Sequence, residues 1–167
     1  MKKLILLFLL ISNFLSSQTW EPLSAIPSNT IASNQRFDDV FFLNENLGWA
    51  ANGGFSEVFK TTDGGANWIS QVTGAMLGSY HYFRNIEFLN ENIGFLGTLN
   101  QKFYKTTDGG TTWSLVTNIT PNPVAICGLD CVGSSTIYGC GAYFGPAFII
   151  KSTDSGNTWQ FIDMSAY

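Results

Sequence analysis

The chain has 167 residues, enough for one ordinary domain, and it is rich in glycine and aromatic residues but poor in charged ones. Acidic residues outnumber basic ones by twelve to eight, which gives a formal net charge of −4. That balance argues against a nucleic-acid-binding protein, because such proteins cluster Lys and Arg to neutralise phosphates.

Residues 1–17 have the pattern of a secretory signal peptide. Lys2 and Lys3 precede an apolar run over residues 4–11 that is too short to span a bilayer comfortably. We expect cleavage after Ser17 and export to the periplasm, the cell surface or the extracellular medium, with no membrane-spanning segment afterwards; an uncleaved N-terminal anchor is the alternative. Cleavage would remove two basic residues and no acidic ones, which changes the net charge to −6.

A repeat dominates the rest of the chain. Three nine-residue segments end in Trp and share a central Thr-Asp, namely Lys60–Trp68, Lys105–Trp113 and Lys151–Trp159. Their aspartates are 45 and 46 residues apart. A second segment, Phe42–Trp49, recurs as Phe88–Phe95 and, in degraded form, as Cys131–Tyr138. A fixed period of this length indicates a repeat architecture.

Each repeat reads as four short strands separated by turn residues, and no stretch shows helical periodicity. Four strands per repeat predict an all-β fold, a β-propeller of four-stranded antiparallel blades with one blade per repeat. The segment Val40–Leu43 is apolar throughout, which predicts an inner strand covered on both faces. The sequence lacks the signatures of WD repeats and leucine-rich repeats. The predicted blades cover about residues 38–73, 84–118 and 124–163.

The three predicted blades do not make a closed propeller. The segment Thr19–Leu23 matches the last strand of each repeat and predicts an orphan outer strand. Three blades and one strand fall short of the ~4–8 blades that close a propeller. We therefore expect an N-terminal fragment of a closed propeller whose remaining blades are missing; assembly of several copies into a ring is the alternative.

The pattern Ser/Thr-x-Asp-x-Gly-x-x-Trp resembles the Asp-box, or bacterial neuraminidase repeat, which occurs in sialidases, sortilin-type receptors and xyloglucan-specific endoglucanases. With the Gly-Trp pair of the second strand, the fuller repeat looks most like the photosystem II stability/assembly factor-like family of secreted bacterial proteins. Three in-phase copies over residues 19–163 carry the resemblance, which implies a β-propeller fold.

We interpret the repeated aspartates as structural. The carboxylate can accept hydrogen bonds from nearby backbone N–H groups, glycine permits the positive φ of the turn, and tryptophan buries apolar surface where the last strand starts. A calcium loop would need several oxygen ligands, and each turn supplies one carboxylate. The structural residues are Asp63, Gly65, Trp68, Asp108, Gly110, Trp113, Asp154, Gly156 and Trp159.

The loops fall on two faces of the predicted propeller. The resemblance implies that Asp-boxes lie away from the ligand site, so we expect binding on the opposite face, which carries the loops after each second strand and the connections between blades. Aromatic side chains beside cations suit recognition of a protein segment or a glycan, although the same side chains also suit packing of loops against blades. The candidates are Arg36, Phe55, Tyr80, His81, Tyr82, Arg84, Lys102 and Tyr143.

The chain contains three cysteines, Cys127, Cys131 and Cys140. Export would permit a disulfide between Cys131 and Cys140 if they face each other across a hairpin, and buried free thiols are the alternative. Neither the cysteine spacing nor the single His81 indicates a metal site, and we expect no cofactor.

Two functions remain open. The repeat type and the leader favour a secreted or cell-surface module for protein or glycan recognition, or for assembly, without catalysis by this segment. The alternative is the N-terminal part of a secreted glycosidase, sialidase- or xyloglucanase-like, with catalytic residues partly beyond Tyr167. Sialidases use three arginines, and this chain has only Arg36 and Arg84. Glycoside hydrolysis also needs two carboxyl groups that converge. The adjacent acids Asp38 and Asp39 should point to opposite faces of a strand, which argues against such a pair. In the assembly-factor family an arginine-bearing surface contacts the client protein, and the resemblance transfers that role to Arg36 and Arg84.

Overall fold

The computed structural model describes residues 36–142 and 145–166, so the predicted signal peptide, the predicted strand at Thr19–Leu23 and Tyr143 lie outside the described residues. The described residues form twelve β-strands, and no helix among them is long and apolar enough to cross a membrane. The strands are β1 (Phe37–Phe42), β2 (Gly48–Asn52), β3 (Glu57–Thr61), β4 (Ile69–Thr73), β5 (Phe83–Phe88), β6 (Gly94–Thr98), β7 (Phe103–Thr106), β8 (Ser114–Leu115), β9 (Gly128–Val132), β10 (Thr136–Gly141), β11 (Phe148–Ser152) and β12 (Gln160–Asp163).

The strands form three antiparallel sheets in sequence order, β1–β4, β5–β8 and β9–β12, which we number blades 1 to 3. This arrangement confirms the predicted all-β fold with one four-stranded blade per repeat. The strands differ from prediction mainly at their ends. The sequence pattern predicts strands at about Val40–Leu43, Asn85–Leu89 and Trp113–Thr117. β1 and β5 begin earlier, at Phe37 and Phe83, and β8 is limited to Ser114–Leu115.

The hydrophobic core lies between the blades. Between blades 1 and 2, the Trp49 and Phe88 rings stack with centroids 3.6 Å apart, and both side chains are buried. Between blades 2 and 3, Phe95 and Phe103 contact the Trp159 ring edge-on at 5.8 and 5.2 Å. Each cluster joins residues of one blade to residues of the next, so the repeat generates its own interfaces.

Two blade faces are open in the described part of the chain. We name the face of a blade that points to the following blade its trailing face, and the face that points to the preceding blade its leading face. β2 and β6, the second strands of blades 1 and 2, are buried throughout. In β10, the second strand of blade 3, the exposed residues Tyr138 and Cys140 alternate with buried ones and lie on the trailing face. On the leading face of blade 1, Val40 and Phe42 are 58% and 41% exposed, so the inner strand is not covered on both faces as its apolar sequence predicts.

The aspartate turns are the segments Lys60–Trp68, Lys105–Trp113 and Lys151–Trp159, and they share one hydrogen-bond pattern. In the second turn, the Thr106 hydroxyl donates to Asp108 Oδ1 at 2.8 Å and accepts the Gly110 N–H at 2.9 Å. Asp108 also accepts the hydroxyl and the backbone N–H of Thr112, and these bonds hold the pKa of Asp108 below its usual value. Gly109 and Gly110 have φ angles of +70° and +90°, a left-handed conformation that favours glycine.

All three cysteines are free thiols. Cys140 pairs with Gly128 across β9 and β10, and Cys131 pairs with Ile137, so Cys131 and Cys140 do not face each other and the disulfide alternative is excluded. The three-residue turn between these strands sets that register. Burial raises the pKa of the Cys131 thiol to about 12, which keeps it protonated.

Candidate functional site

The candidate binding face lies opposite the aspartate turns. The Gly64 N–H donates to the Asn46 carbonyl at 2.9 Å, and the Gly109 N–H donates to the Asn92 carbonyl at 2.9 Å. Each of these aspartate turns is therefore joined to the turn between the first two strands of its blade. Because the strands are antiparallel, the loops after the second strands and the connections between blades lie at the other end.

Two β-bulges at equivalent positions shape this face. The pairing of β1 with β2 shifts at Asp38, and the pairing of β5 with β6 shifts at Arg84. A bulge re-aims the side chain of the extra residue, and bulges are frequent beside functional sites. The two re-aimed side chains meet, since Arg84 Nη1 lies 2.8 Å from Asp38 Oδ1.

Arg36 binds the same carboxylate oxygen. Its Nε and Nη2 atoms lie 2.9 and 2.8 Å from Asp38 Oδ1. The Asp38 side chain is fully buried, whereas the side chains of Arg36 and Arg84 are 66% and 35% exposed. Two guanidinium groups on one carboxylate leave an excess positive charge and unused N–H donors at the surface. This arginine pair (Arg36 and Arg84) therefore can bind a carboxylate or another acceptor of a ligand.

Gly53 and Tyr82 lie against Asp38 on one side of the arginine pair. A Cβ atom at Gly53 would lie 2.2 Å from Asp38 Oδ2 and 2.5 Å from the Tyr82 ring, so glycine is required there. The Gly53 N–H donates to the Arg36 carbonyl at 3.2 Å and ties the loop to the start of β1. Burial, and then the Asp38 carboxylate, raises the pKa of Tyr82, which keeps its hydroxyl protonated.

Phe55 and Tyr80 line a groove of about 390 Å³ in the connection that follows blade 1. The two residues are 52% and 61% exposed. The Phe55 N–H donates to the Asn52 side chain at 3.0 Å, and the Tyr80 hydroxyl donates to the Gly54 carbonyl. These hydrogen bonds hold two exposed aromatic rings in place and offer an apolar surface to a ligand.

The structure places His81 and Lys102 in a different cavity. His81 is 6% exposed, and its backbone carbonyl accepts the Ser56 hydroxyl. Both residues line a cavity of about 550 Å³ with Tyr104 and Trp113. Burial, and then the Lys102 charge, lowers the pKa of His81, so the imidazole is neutral near pH 7. His81 is thus a buried residue beside the candidate binding face.

Burial raises the pKa of two acids on the inner strands. Asp39 Oδ2 accepts the Ile86 N–H at 2.9 Å, and burial nevertheless raises the pKa of Asp39. Burial also raises the pKa of Glu87 to about 7, although Glu87 accepts the backbone N–H of Cys131. Each acid accepts a backbone N–H from the inner strand of the next blade. This structural role explains why an acid is present at both positions.

Asp38 and Gly53 belong to the arginine cluster but are not singled out for it by the sequence. The signal for Asp38 is the Arg-Phe-Asp spacing, since residues two apart on a strand share a face. Gly53 carries no such signal, because its close approach depends on Tyr82 from the following connection. Within residues 36–142 and 145–166, no group of three or more His, Cys, Asp or Glu side chains is arranged to hold a metal ion.

No protein-family model and no curated protein matches the chain. Among solved structures, the chain is similar to YCF48 bound to a D1 peptide, with 25% identity and a TM-score of 0.62 over 75% of this chain and 38% of that one. It is similar to YCF48 from Cyanidioschyzon merolae, with 18% identity and a TM-score of 0.64 over 82% of this chain and 44% of that one. It is also similar to a GH74 enzyme from Niastella koreensis, with 26% identity and a TM-score of 0.52 over 74% of this chain and 22% of that one.

These similarities confirm the predicted β-propeller fold and its likeness to the photosystem II assembly factor YCF48. The chain spans less than half the length of each of these three proteins. A shared fold does not show that two proteins have the same activity or ligand, so the function must be inferred from the residues of the site.

Proposed function

We propose that the chain forms part of an exported β-propeller that recognises an acidic segment of a partner protein. The observation that carries this proposal is the convergence of Arg36 and Arg84 on the buried Asp38. The predicted signal peptide supports export. The protein acts as a recognition or assembly module, and the arginine pair is its binding site.

The cluster suits an acidic ligand for a physical reason. Asp38 holds both guanidinium groups before a ligand arrives, so less side-chain freedom is lost on binding. Hydrogen bonds to charged groups contribute about 1.5–3 kcal/mol each. The arginine pair alone supports weak binding, which contact with the exposed rings of Phe55 and Tyr80 would strengthen.

The similarity to YCF48 favours a protein ligand over a glycan. One of the two YCF48 structures holds a D1 peptide, and that protein shares 25% of its residues with this chain over the aligned region. A propeller of this type therefore can hold a peptide segment, and the arginine pair supplies the charge that selects an acidic one.

Fluorescence anisotropy with labelled peptides tests the proposal. Peptides rich in Glu should bind, and matched peptides with Gln at the same positions should bind more weakly. Arg36→Ala should weaken binding of the Glu peptides about tenfold, whereas Lys102→Ala, which removes a cation from the separate His81 cavity, should not. Equal binding of the Glu and Gln peptides, or binding unaffected by Arg36→Ala, would contradict the proposal.

A glycosidase is the second candidate, because the chain is 26% identical to the GH74 enzyme over the aligned region and contains an acid with a raised pKa. Glycoside hydrolysis uses two carboxyl groups, one of them with a pKa raised enough to donate a proton. Glu87, with the neighbouring Asp39, is the pair that fits this description. Release of sugar from xyloglucan by the chain, and its loss in Glu87→Gln, would favour this candidate over peptide recognition.

A further inference from the structure

A cavity of about 550 Å³ lies between the connection that follows blade 1 and the last two strands of blade 2. The volume is within the ~300–1,000 Å³ of sites for small ligands, which combine apolar walls with a few polar groups. Its lining includes three polar side chains, His81, Lys102 and Tyr104, and four apolar ones, Met76, Leu77, Trp113 and Leu115.

The three polar side chains keep unused hydrogen-bond donors. Within the described residues, the hydrogen bonds of His81 and Lys102 use backbone atoms only, and none engages the Tyr104 hydroxyl. The His81 and Tyr104 rings have centroids 5.9 Å apart. Burial lowers the pKa of His81, and the nearby Lys102 charge lowers it further. Burial raises the pKa of Tyr104, so its hydroxyl stays protonated. An ammonium group, a hydroxyl and a neutral imidazole can therefore all donate to one ligand group.

The charge of the lining favours an anion. Among the described residues of the lining, Lys102 alone is charged near pH 7, and none is Asp or Glu. The ion pairs within the described part of the chain do not include Lys102. One ammonium group balances the single charge of a carboxylate, whereas a phosphate ester carries about −1.5 to −2. The lining therefore fits a carboxylate better than a phosphate.

The walls of the cavity are held in shape by the protein's own hydrogen bonds. In the connection, the Ser79 N–H donates to the Gly74 carbonyl at 3.1 Å. The His81 N–H donates to the Ser56 hydroxyl at 3.2 Å, which fixes the backbone beside the ring. The Trp113 indole N–H donates to a carbonyl of its own aspartate turn at 2.9 Å. A ligand would therefore need to order little of the protein on binding.

The equivalent place between blades 2 and 3 is filled by aromatic rings. Phe148 follows Lys102, and Phe161 follows Leu115, by the 46 residues that separate the second and third aspartates. The Phe148 and Phe161 rings stack with centroids 5.0 Å apart, beside a groove of only about 230 Å³. Among the described residues that line this groove, only Asp163 is charged. The repeat therefore does not itself require an open cavity with a lysine at this position.

We propose that the cavity between blades 1 and 2 binds a small carboxylic acid with an apolar body. The Lys102 ammonium group, the Tyr104 hydroxyl and the His81 ring hold the carboxylate, and the body lies against Trp113 and Leu115. This site goes beyond the proposed function, because its lining does not include the arginine pair. Loss of acid binding and loss of peptide binding are therefore separate results.

An NMR titration tests the proposal through the single histidine of the chain. Because His81 is the only histidine, the ring signals of a purified chain without a histidine tag need no further assignment. Hydrocinnamate, a phenyl ring on a short carboxylate tail, should shift these signals until the site is saturated. Its amide keeps the shape without the charge and should bind about tenfold more weakly.

Substitutions in the lining should separate the charge from the apolar contacts. Lys102→Met should weaken hydrocinnamate binding about tenfold, because methionine keeps an apolar stem and removes the charge. Tyr104→Phe should weaken it by a smaller factor, since one neutral donor is lost. Lys151→Met is the matched control, because Lys151 lies outside the lining, and it should leave the affinity unchanged. Arg36→Ala, which tests the peptide site, should also leave it unchanged.

His81 signals that show no saturable shift with hydrocinnamate would overturn the proposal. So would equal affinity for the acid and its amide, because the cavity would then select apolar groups without regard to charge. Inorganic phosphate that displaces hydrocinnamate at equal concentration would indicate a site for any anion and also overturn it. Equal losses in Lys102→Met and Lys151→Met would indicate an effect of net charge alone, with the same consequence. Circular dichroism checks that each variant is folded, and Lys102→Met decides the test if Tyr104→Phe is not.

Discussion

The Trp49 and Phe88 rings lie face to face across the boundary of blades 1 and 2, with centroids 3.6 Å apart and ring planes 9° from parallel. Phe42 takes the position of Phe88 in the preceding blade, where it is 41% exposed instead of buried. The two phenylalanines occupy equivalent places in the repeat, but among the described residues a neighbouring blade covers only Phe88. Substitution of each one therefore separates what a blade interface contributes to the free energy of unfolding from what packing within a blade contributes.

Phe88→Ala should destabilise the chain much more than Phe42→Ala. Truncation of a buried Phe costs about 3–5 kcal/mol, because the transfer energy is lost and a cavity remains. Truncation of the half-covered Phe42 should cost about 1 kcal/mol. Urea unfolding of both variants measures the difference. Equal losses would mean that the stack contributes no more than packing within a blade.

Thr106→Val should lower the free energy of unfolding by about 1–3 kcal/mol, because the buried Gly110 N–H loses its acceptor while the side-chain shape is kept. The same change also removes a hydroxyl donor to Asp108. Thr107→Val is the matched control, since Thr107 is the exposed neighbour in the same turn. Thermal unfolding of the two variants checks the prediction, and similar midpoints for both would show that the turn does not need the Thr106 hydroxyl.

Arg84→Met should destabilise the chain, whereas Arg36→Met should change its stability little. Asp38 is fully buried, and Arg84 is its less exposed partner, so removal of Arg84 leaves a buried carboxylate with one exposed guanidinium. We expect a loss of about 2–3 kcal/mol, below the full cost for a buried pair because Arg84 is partly exposed.

A second substitution distinguishes the unpaired charge from lost packing of the arginine stem. Asp38→Asn in the Arg84→Met background should restore part of the stability, because it removes the uncompensated charge. If the double variant is less stable than Arg84→Met by the full effect of Asp38→Asn alone, the two side chains are not coupled.

The turn chemistry of this fold is local, and the sequence therefore predicts it well. Gly65, Gly110 and Gly156 each follow an aspartate by two residues, and their φ angles are +90°, +90° and +75°. The period of the aspartates predicts where each blade begins, because one four-stranded sheet forms per repeat. The hydrogen bonds among the Ser or Thr hydroxyl, the aspartate and the glycine of each turn form within its own nine-residue segment.

The candidate binding face depends on contacts between distant segments, and the sequence predicts it less well. Asp38 meets Arg84 across 46 residues because both stand at bulges, which leave no reliable trace in the residue pattern. His81 lies between two tyrosines in a polar stretch, yet it is buried because Ser56, from an earlier loop, holds its backbone. Exposure of an apolar strand such as Val40–Leu43 likewise depends on which blade stands beside it.

The stability of the chain should depend on pH through Glu87. Burial raises its pKa in the folded state from an ordinary value of 4.5 to about 7. The folded chain thus holds this proton more tightly than the unfolded chain, so ionisation favours unfolding. The contribution of Glu87 is neutral below pH 4.5, becomes unfavourable as the pH rises to about 7, and is constant above that. Since the carboxyl is only half-buried, we expect a penalty of about 1–2 kcal/mol.

Glu87→Gln isolates this effect, because glutamine keeps an acceptor for the Cys131 N–H but carries no charge. Calorimetry should give the variant and the wild type similar melting midpoints near about pH 4, and the variant should gain an advantage that is complete by about pH 8. Glu91→Gln, at an exposed glutamate of the same blade, should show no comparable pH-dependent gain. A Glu87→Gln variant that loses stability relative to the wild type as the pH rises would mean that the Cys131 N–H stabilises the carboxylate more than burial destabilises it.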